Sequence, residues 1–206
     1  MQYGFFFDNT RCTGCKTCEM ACRDYKDLDV DLTYRRVIDY EGGLCVESAE
    51  GTVTQNCFSY HISLSCNHCN APECIHVCPT GAMHKDERGL VWPDKSKCIG
   101  CGYCTMACPY HAPRINQKTK KSSKCDGCTD RVLAGNAPIC VEACPLRALD
   151  FDTMDALEEK HPGATLSILP LPDGSHTRPN LLIKPSPAAL RAQETSGGHI
   201  ANYEEI

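Results

Sequence analysis

The chain has 206 residues and a formal net charge of −5, with 21 Lys and Arg against 26 Asp and Glu. That balance offers no broad basic field for nucleic acid, and charged residues or prolines break every apolar stretch before it is long enough to cross a bilayer. Only 42% of residues are hydrophobic, with five Phe and one Trp, against 18 cysteines, so metal or covalent staples must supply much of the fold's stability.

The opening Met-Gln-Tyr-Gly-Phe-Phe-Phe-Asp lacks the basic start of a secretory signal. A cysteine-rich chain of this kind is expected to bind metal rather than form disulfides. Gln2 to Phe7 reads as a short aromatic strand leading to Cys12, Cys15, Cys18 and Cys22. Residues 28–60 read as a hairpin, with Tyr34 to Tyr40 and Thr52 to Tyr60 around Gly42-Gly43 and Gly51. A second quartet, Cys66, Cys69, Cys74 and Cys78, precedes Pro79. It is followed by a predicted hairpin of Gly81 to Lys85 and Gly89 to Trp92. A third, Cys98, Cys101, Cys104 and Cys108, precedes Pro109 and a predicted strand over Ala112 to Ile115. The fourth, Cys125, Cys128, Cys140 and Cys144, precedes Pro145 and a strand over Ala148 to Phe151. A helix over Met154 to Lys160 is predicted behind Asp152 as N-cap and stops at Pro162-Gly163. The tail beyond it is rich in proline, shows no helical periodicity and is expected to run extended over a neighbouring surface, with disorder the alternative for its last fifteen or so residues.

The first and third quartets have the C-x₂-C-x₂-C-x₃-C spacing of bacterial ferredoxins, and the other two lengthen only the middle gap. Three thiolates two residues apart wrap a cuboidal cluster while the intervening amides turn toward sulfur. Gly14, Gly100 and Gly127 supply flexible positions for that loop. The fourth cysteine lies about one helical turn on and is carried toward a neighbouring cluster, and the following proline ends the turn. A zinc-stapled interaction module is the rival reading, but three cysteines within seven residues crowd a single tetrahedral ion.

The fold expected is α+β, with two ferredoxin-like modules, an inserted β-hairpin and an extended C-terminal tail. Residues 1–30 and 116–160 form the outer module, 31–60 the hairpin, 61–115 the inner module and 161–206 the tail. Cross-ligation then assigns Cys12, Cys15, Cys18 and Cys144 to one cluster and Cys125, Cys128, Cys140 and Cys22 to a second. Cys66, Cys69, Cys74 and Cys108 take a third, and Cys98, Cys101, Cys104 and Cys78 a fourth. Cys45 and Cys57 fall outside every quartet and are not read as ligands. His68 and His76 are expected to hydrogen-bond near a cluster or face solvent, since no cysteine is missing for a Rieske-type site. Trp92 is read as core, and Lys118, Lys120, Lys121 and Lys124 as a solvated or partner-facing loop. No dinucleotide fingerprint, phosphate loop or nucleophile elbow is present, which points to electron transfer rather than catalysis.

The stretches YGFFFDNTRCTGCKTCEMACRDYKDL, SCNHCNAPECIHVCPTGAMHK, CIGCGYCTMACPYHAPRIN, KCDGCTDRVLAGNAPICVEACPLRALDF and RPNLLIKP resemble the iron–sulfur subunits of the dimethyl sulfoxide reductase family of molybdopterin oxidoreductases. The resemblance implies electron relay in anaerobic respiration, from a quinol-oxidising integral membrane anchor to a molybdenum bis-guanine-dinucleotide catalytic subunit that reduces sulfoxides or N-oxides. The quartets alone also fit the beta subunits of formate dehydrogenase, polysulfide, tetrathionate and nitrate reductases. It further implies no membrane span in this chain and attachment to the membrane through partners. The face implied is periplasmic, after co-export with a twin-arginine catalytic subunit; the cytoplasmic face is the alternative. Nitrate reductase relatives carry Trp at the second position of the third quartet; Cys101 here implies four [4Fe–4S] clusters. Gly102 stands where relatives carry a basic residue, and residues 41–56 diverge from them.

Overall fold

In the computed structural model, which describes residues 1–195 and 197–205, the aromatic run near the start forms β1 (Tyr3–Asp8). Phe5 and Phe7 enter the main core and Phe6 a smaller one on the opposite face, the alternation a strand imposes. Helix α1 (Thr17–Tyr25) carries the end of the first quartet. β2 (Arg36–Gly42) is followed by a small ribbon of β3 (Cys45–Glu47) and β4 (Val53–Gln55), and the chain returns along β2 as β5 (Phe58–Leu64). Then come α2 (Glu73–His76), the hairpin β6 (Met83–Lys85) and β7 (Val91–Pro93), α3 (Tyr103–Ala107), and the pair β8 (Arg114–Ile115) and β9 (Ser122–Ser123). The remainder holds α4 (Thr129–Leu133), α5 (Ile139–Glu142), β10 (Leu149–Thr153), α6 (Met154–Lys160), β11 (Leu181–Lys184), α7 (Pro187–Glu194), β12 (His199–Ile200) and a 3-10 turn over Tyr203–Glu205.

Two three-stranded sheets hold the chain together. In the first, β1 lies between β10, antiparallel to it, and β11, parallel to it. Phe5 faces Phe151 on one side and Leu181 on the other, so segments before the first quartet and after the fourth become ladder neighbours. In the second, β2 lies between β5 and β12. The main core joins Phe7, Val37, Ile62 and Ile183 to Cys18, Cys69, Cys140 and Cys144. Ligand-type thiols therefore form part of the wall of the hydrophobic interior.

The tail differs from the expected extended segment. β11 covers an edge of β1 that would otherwise expose unpaired backbone groups, and β12 does the same for β2. Pro187 occupies the first turn of α7, where a missing amide hydrogen costs nothing, and the Ser186 hydroxyl accepts from the Ala189 amide at 3.2 Å. The helix escapes a periodicity reading because it is short and buries only Ala189 and Ala192. Asn180 anchors the tail to the second quartet, its amide donating to the Asn67 carbonyl at 3.0 Å and its side chain to the His68 carbonyl at 2.7 Å.

Three smaller expectations also change. Thr153, not Asp152, is the N-cap residue of α6. Asp152 instead accepts from the Thr153 amide and from Lys160 Nζ, each at 2.7 Å. The long hairpin closes through Phe58–Leu64, with the turn carried on the separate ribbon β3–β4. Trp92 is not core: its neighbours on β7, Val91 and Pro93, turn inward, which leaves the indole partly exposed and edge-on to His84.

Truncation before Arg178 is expected to expose β1 and β2 and to cost both folding and iron content in the isolated protein. Ile183→Ala alone should destabilise by about 2–5 kcal/mol. Thermal melts with iron analysis check both; a truncated protein with full iron and an unchanged midpoint would show the tail to be dispensable.

Candidate iron–sulfur sites

One short backbone design recurs around all four quartets. The residue before the second cysteine has positive φ each time: Gly14 (69°), His68 (44°), Gly100 (74°) and Gly127 (68°). This bend turns its amide back toward the first sulfur. The His68 amide donates to Cys66 Sγ and the Gly127 amide to Cys125 Sγ, both at 3.4 Å. Glycine is also required for space at Gly100, where a Cβ would lie 2.1 Å from the Lys120 carbonyl oxygen. After the closing cysteine of quartets two, three and four, proline is followed by a turn. Gly81, His111 and Arg147 have positive φ and donate their amides to the carbonyls of Cys78, Cys108 and Cys144. The backbone then doubles back so that the Met83 amide reaches Cys78 Sγ at 3.4 Å and the Ala148 amide Cys144 Sγ at 3.3 Å.

The cysteines meet in four sets. Cys12, Cys15, Cys18 and Cys144 line one concavity, Cys66, Cys69, Cys74 and Cys108 a second, and Cys98, Cys101, Cys104 and Cys78 a third. Cys22 lies among Cys140, Cys128 and Cys125. Each set draws three cysteines from one quartet and the closing cysteine of another, because α1 packs on α5 and α2 on α3. The sets also adjoin one another in a row: Cys18 neighbours Cys140, Cys125 neighbours Cys66, and Cys74 packs with Cys104. In this row only the two end sets contain an exposed cysteine, Cys15 at one end and Cys101 at the other. Cys45 and Cys57 sit apart from all four, exposed on and beside the ribbon β3–β4.

Comparison with known proteins decides the family. Residues 57–154 match the 4Fe-4S dicluster domain and residues 9–26 the 4Fe-4S binding domain. The sequence is 53% identical over 205 residues to the B subunit of anaerobic dimethyl sulfoxide reductase from Escherichia coli, covering 100% of this protein and 98% of that one. It is 54% identical over 205 residues to the corresponding subunit from Haemophilus influenzae, at 100% and 99% coverage. The chain therefore belongs to the iron–sulfur subunits of the dimethyl sulfoxide reductase family. It is also 40% identical over 158 residues to a thiosulfate reductase electron transfer subunit of Salmonella typhi, covering 76% of this protein and 79% of that one. As a member of the family it is an electron-transfer subunit of a reductase complex rather than a catalytic one, and it holds multiple [4Fe–4S] clusters.

The side chains fit such clusters chemically. Burial together with neighbouring thiolates pushes Cys12 up to about 11 and Cys22, Cys69 and Cys74 up to about 12, and holds Cys125 well above the ordinary thiol value. Thiols in this state give up their protons together only when cationic iron offsets the charge. At the exposed rim Cys15 is lowered by its hydrogen bonds with Thr17. At Cys78 burial opposes, but bonds from Met83 and Thr80 prevail. Hydroxyls add to the amide donors, with Ser63 Oγ 3.2 Å from Cys18 Sγ and Ser122 Oγ 3.4 Å from Cys104 Sγ. Among the described residues no three His, Cys, Asp or Glu side chains converge closely enough for one metal ion. An all-sulfur ring around a wider space suits a polynuclear cluster better than zinc.

Of the two roles the sequence allowed His68, hydrogen bonding near a cluster or facing solvent, the structure gives the first; the buried placing of Arg35 and Lys124 was missed. His68 is fully buried, takes the left-handed position that glycine fills elsewhere, and accepts from the Val91 amide through Nδ1 at 2.9 Å. Burial and the nearby Lys124 charge hold its pKa well below the ordinary value, so the ring is neutral. Its alignment with Gly14, Gly100 and Gly127 was the available signal. His76 is an exposed partner of Glu73. Lys118 pairs with Asp29 in the basic loop, whereas Lys124 is buried. Arg35 lies just before β2, far from any cysteine in sequence, and nothing local marks it.

Gly100→Ala is expected to disturb only the set containing Cys101, because the added methyl meets the Lys120 carbonyl. Gly102→Ala, at φ 80° but facing open space, should strain the backbone by about 1 kcal/mol and spare the cluster. Iron per chain and cluster-resolved EPR distinguish the two; equal damage would show that φ alone matters.

Proposed function

We propose that the four cysteine sets each hold one [4Fe–4S] cluster, with the ligands grouped as above, and that the clusters form a single wire. It carries electrons from a quinol-oxidising integral membrane anchor to a molybdenum bis-guanine-dinucleotide catalytic subunit that reduces sulfoxides or N-oxides in anaerobic respiration. The observation that carries this reading is the row of sets with an exposed thiol only at its two ends. Such a layout gives an entry and an exit and shields what lies between. A cluster held by four cysteines cycles one electron; the protein fixes spacing, supplies hydrogen bonds to sulfur and excludes water.

The two ends differ. Around Cys101, Ile99, Tyr103 and Met106 are exposed, an apolar rim that suits the membrane anchor. Around Cys15 the rim carries Lys16 and Glu19 beside Met20, a mixed surface that suits the catalytic subunit. In this reading residues 1–30 with 116–160 and residues 61–115 are the two ferredoxin-like modules, and residues 31–60 the insertion. Among the described residues no helix is long and apolar enough to cross a membrane, so attachment runs through the anchor. We place it on the periplasmic face, reached by export with the catalytic subunit.

Anaerobically prepared protein should contain about sixteen irons per chain, four for each cluster; about four, or none, would sink the reading. Cys22→Ser should remove the EPR signal of the Cys125, Cys128 and Cys140 cluster while sparing that of Cys12, Cys15 and Cys18. Cys101→Ser should convert one cluster to a three-iron form and interrupt quinol-driven reduction in the complex. Unchanged spectra and turnover would count against both the ligand set and the wire.

A further inference from the structure

Two cations are buried between successive cysteine sets, and neither has a carboxylate for a partner among the described residues. Arg35 is 2% exposed and Lys124 3% exposed. Arg35 lies among Cys18 of the first set and Cys140, Cys125 and Cys22 of the next. Its guanidinium sits 4.8 Å above the Phe5 ring and donates to the Ser63 carbonyl at 3.2 Å, to Ser63 Oγ at 3.1 Å and to Ser65 Oγ at 2.9 Å. The same Ser63 hydroxyl is 3.2 Å from Cys18 Sγ, so one oxygen links the guanidinium to a sulfur. Lys124 lies among Cys66 and Cys74 of the following set and Cys125 of the one before. Its ammonium donates to the Val91 carbonyl.

Isolating a cation in an apolar interior costs several kcal/mol unless a counter-charge is close. Lys26 makes the contrast: it also lies near Cys22 and Cys128, but its charge is shared by Asp126 and Asp130, each at 3.0 Å.

We propose that Arg35 and Lys124 are positioning cations that set the reduction potentials of the wire's interior, each raising the potentials of the two clusters it separates. A fixed positive charge in a low-dielectric space favours the state carrying one more electron. No residue is assigned this role at the junction with the Cys101 set, which makes that cluster an internal reference. The inference rests on the four-cluster reading, and the two fail separately. Too little iron in the unaltered protein defeats the reading, whereas full iron with unmoved potentials in the variants defeats the inference alone.

The test is an EPR-monitored redox titration of the full-length, cluster-loaded protein. Arg35→Met should lower the first two clusters in the row, and Lys124→Met the second and third. Each reduction equilibrium constant should fall at least tenfold, about 59 mV for one electron. Arg35→Lys and Lys124→Arg should stay within about threefold of the unaltered protein, and the Cys101 cluster should not move in any variant. Ser63→Ala, which keeps the charge but breaks the link to Cys18, should lower the first cluster only. The proposal is overturned by unmoved potentials at full iron, by equal shifts in the charge-preserving variants, or by an equal shift of the Cys101 cluster. Should the Met variants lose iron, Arg35→Gln and Lys124→Gln replace them. Loss of iron there too, with full iron in the charge-preserving variants, would make the cations assembly elements and overturn the proposal as well.

Discussion

Sulfur charge confined to an interior with little apolar mass is the constraint to which the other features answer. Thiols such as Cys22, Cys69 and Cys74 are pushed to about 12 by burial and by the other cysteines of their sets, so the sets are stable as thiolates only around cationic iron. The protein prepares for that charge in three ways. Left-handed bends aim amides at sulfur, serine hydroxyls lie against Cys18 and Cys104, and two buried cations stand among the sets. Cluster binding and folding are therefore one process, in keeping with a core where Cys18, Cys140 and Cys144 pack beside Phe7 and Ile183.

That constraint also shapes the route for electrons. Exchanging closing cysteines between quartets ties each pocket to its neighbour through the covalent backbone, with Cys22 delivered by α1 to the fourth quartet and Cys144 returned to the first. The spacing of the first set from the second and of the third from the fourth is consequently fixed by short helices packed in pairs, α1 on α5 and α2 on α3. Among the cysteines of the four sets, Cys15 and Cys101 are the exposed ones, while Cys12, Cys78 and Cys108 are partly buried and the rest buried. A protein that passes electrons between two partners needs two such openings and a dry path between them. In the proposed wire, the different rims around the two thiols would let its two partners be told apart.

The sheets serve the same end. β1 is flanked by β10 and by β11, so the beginning and the last third of the sequence join in one sheet, and Phe7 and Leu149 from it line the first cysteine set. The tail reaches the second quartet through Asn180 and the hairpin through β12. A proline-rich segment read in isolation suggests a loose strap. Here its prolines lie in loops and at the start of α7, while the residues between them pair with exposed strand edges.

The cysteine spacing by itself determined the kind of cofactor and the number of ligand groups, and with its flanking stretches the family, because cluster loops are local and their geometry is set by residues two or three apart. It also marked Gly14, Gly100 and Gly127, whose left-handed backbone follows from the same loop. The short strands at Tyr3–Asp8, Met83–Lys85 and Leu149–Thr153 were legible within a few residues from aromatic and alternating runs. Tertiary structure alone decided the fate of the tail, the exposure of Trp92, and the placing of Arg35 and Lys124 among thiolates. Each of these depends on contacts between segments distant in sequence, where edge pairing and long-range charge act and no local pattern records them.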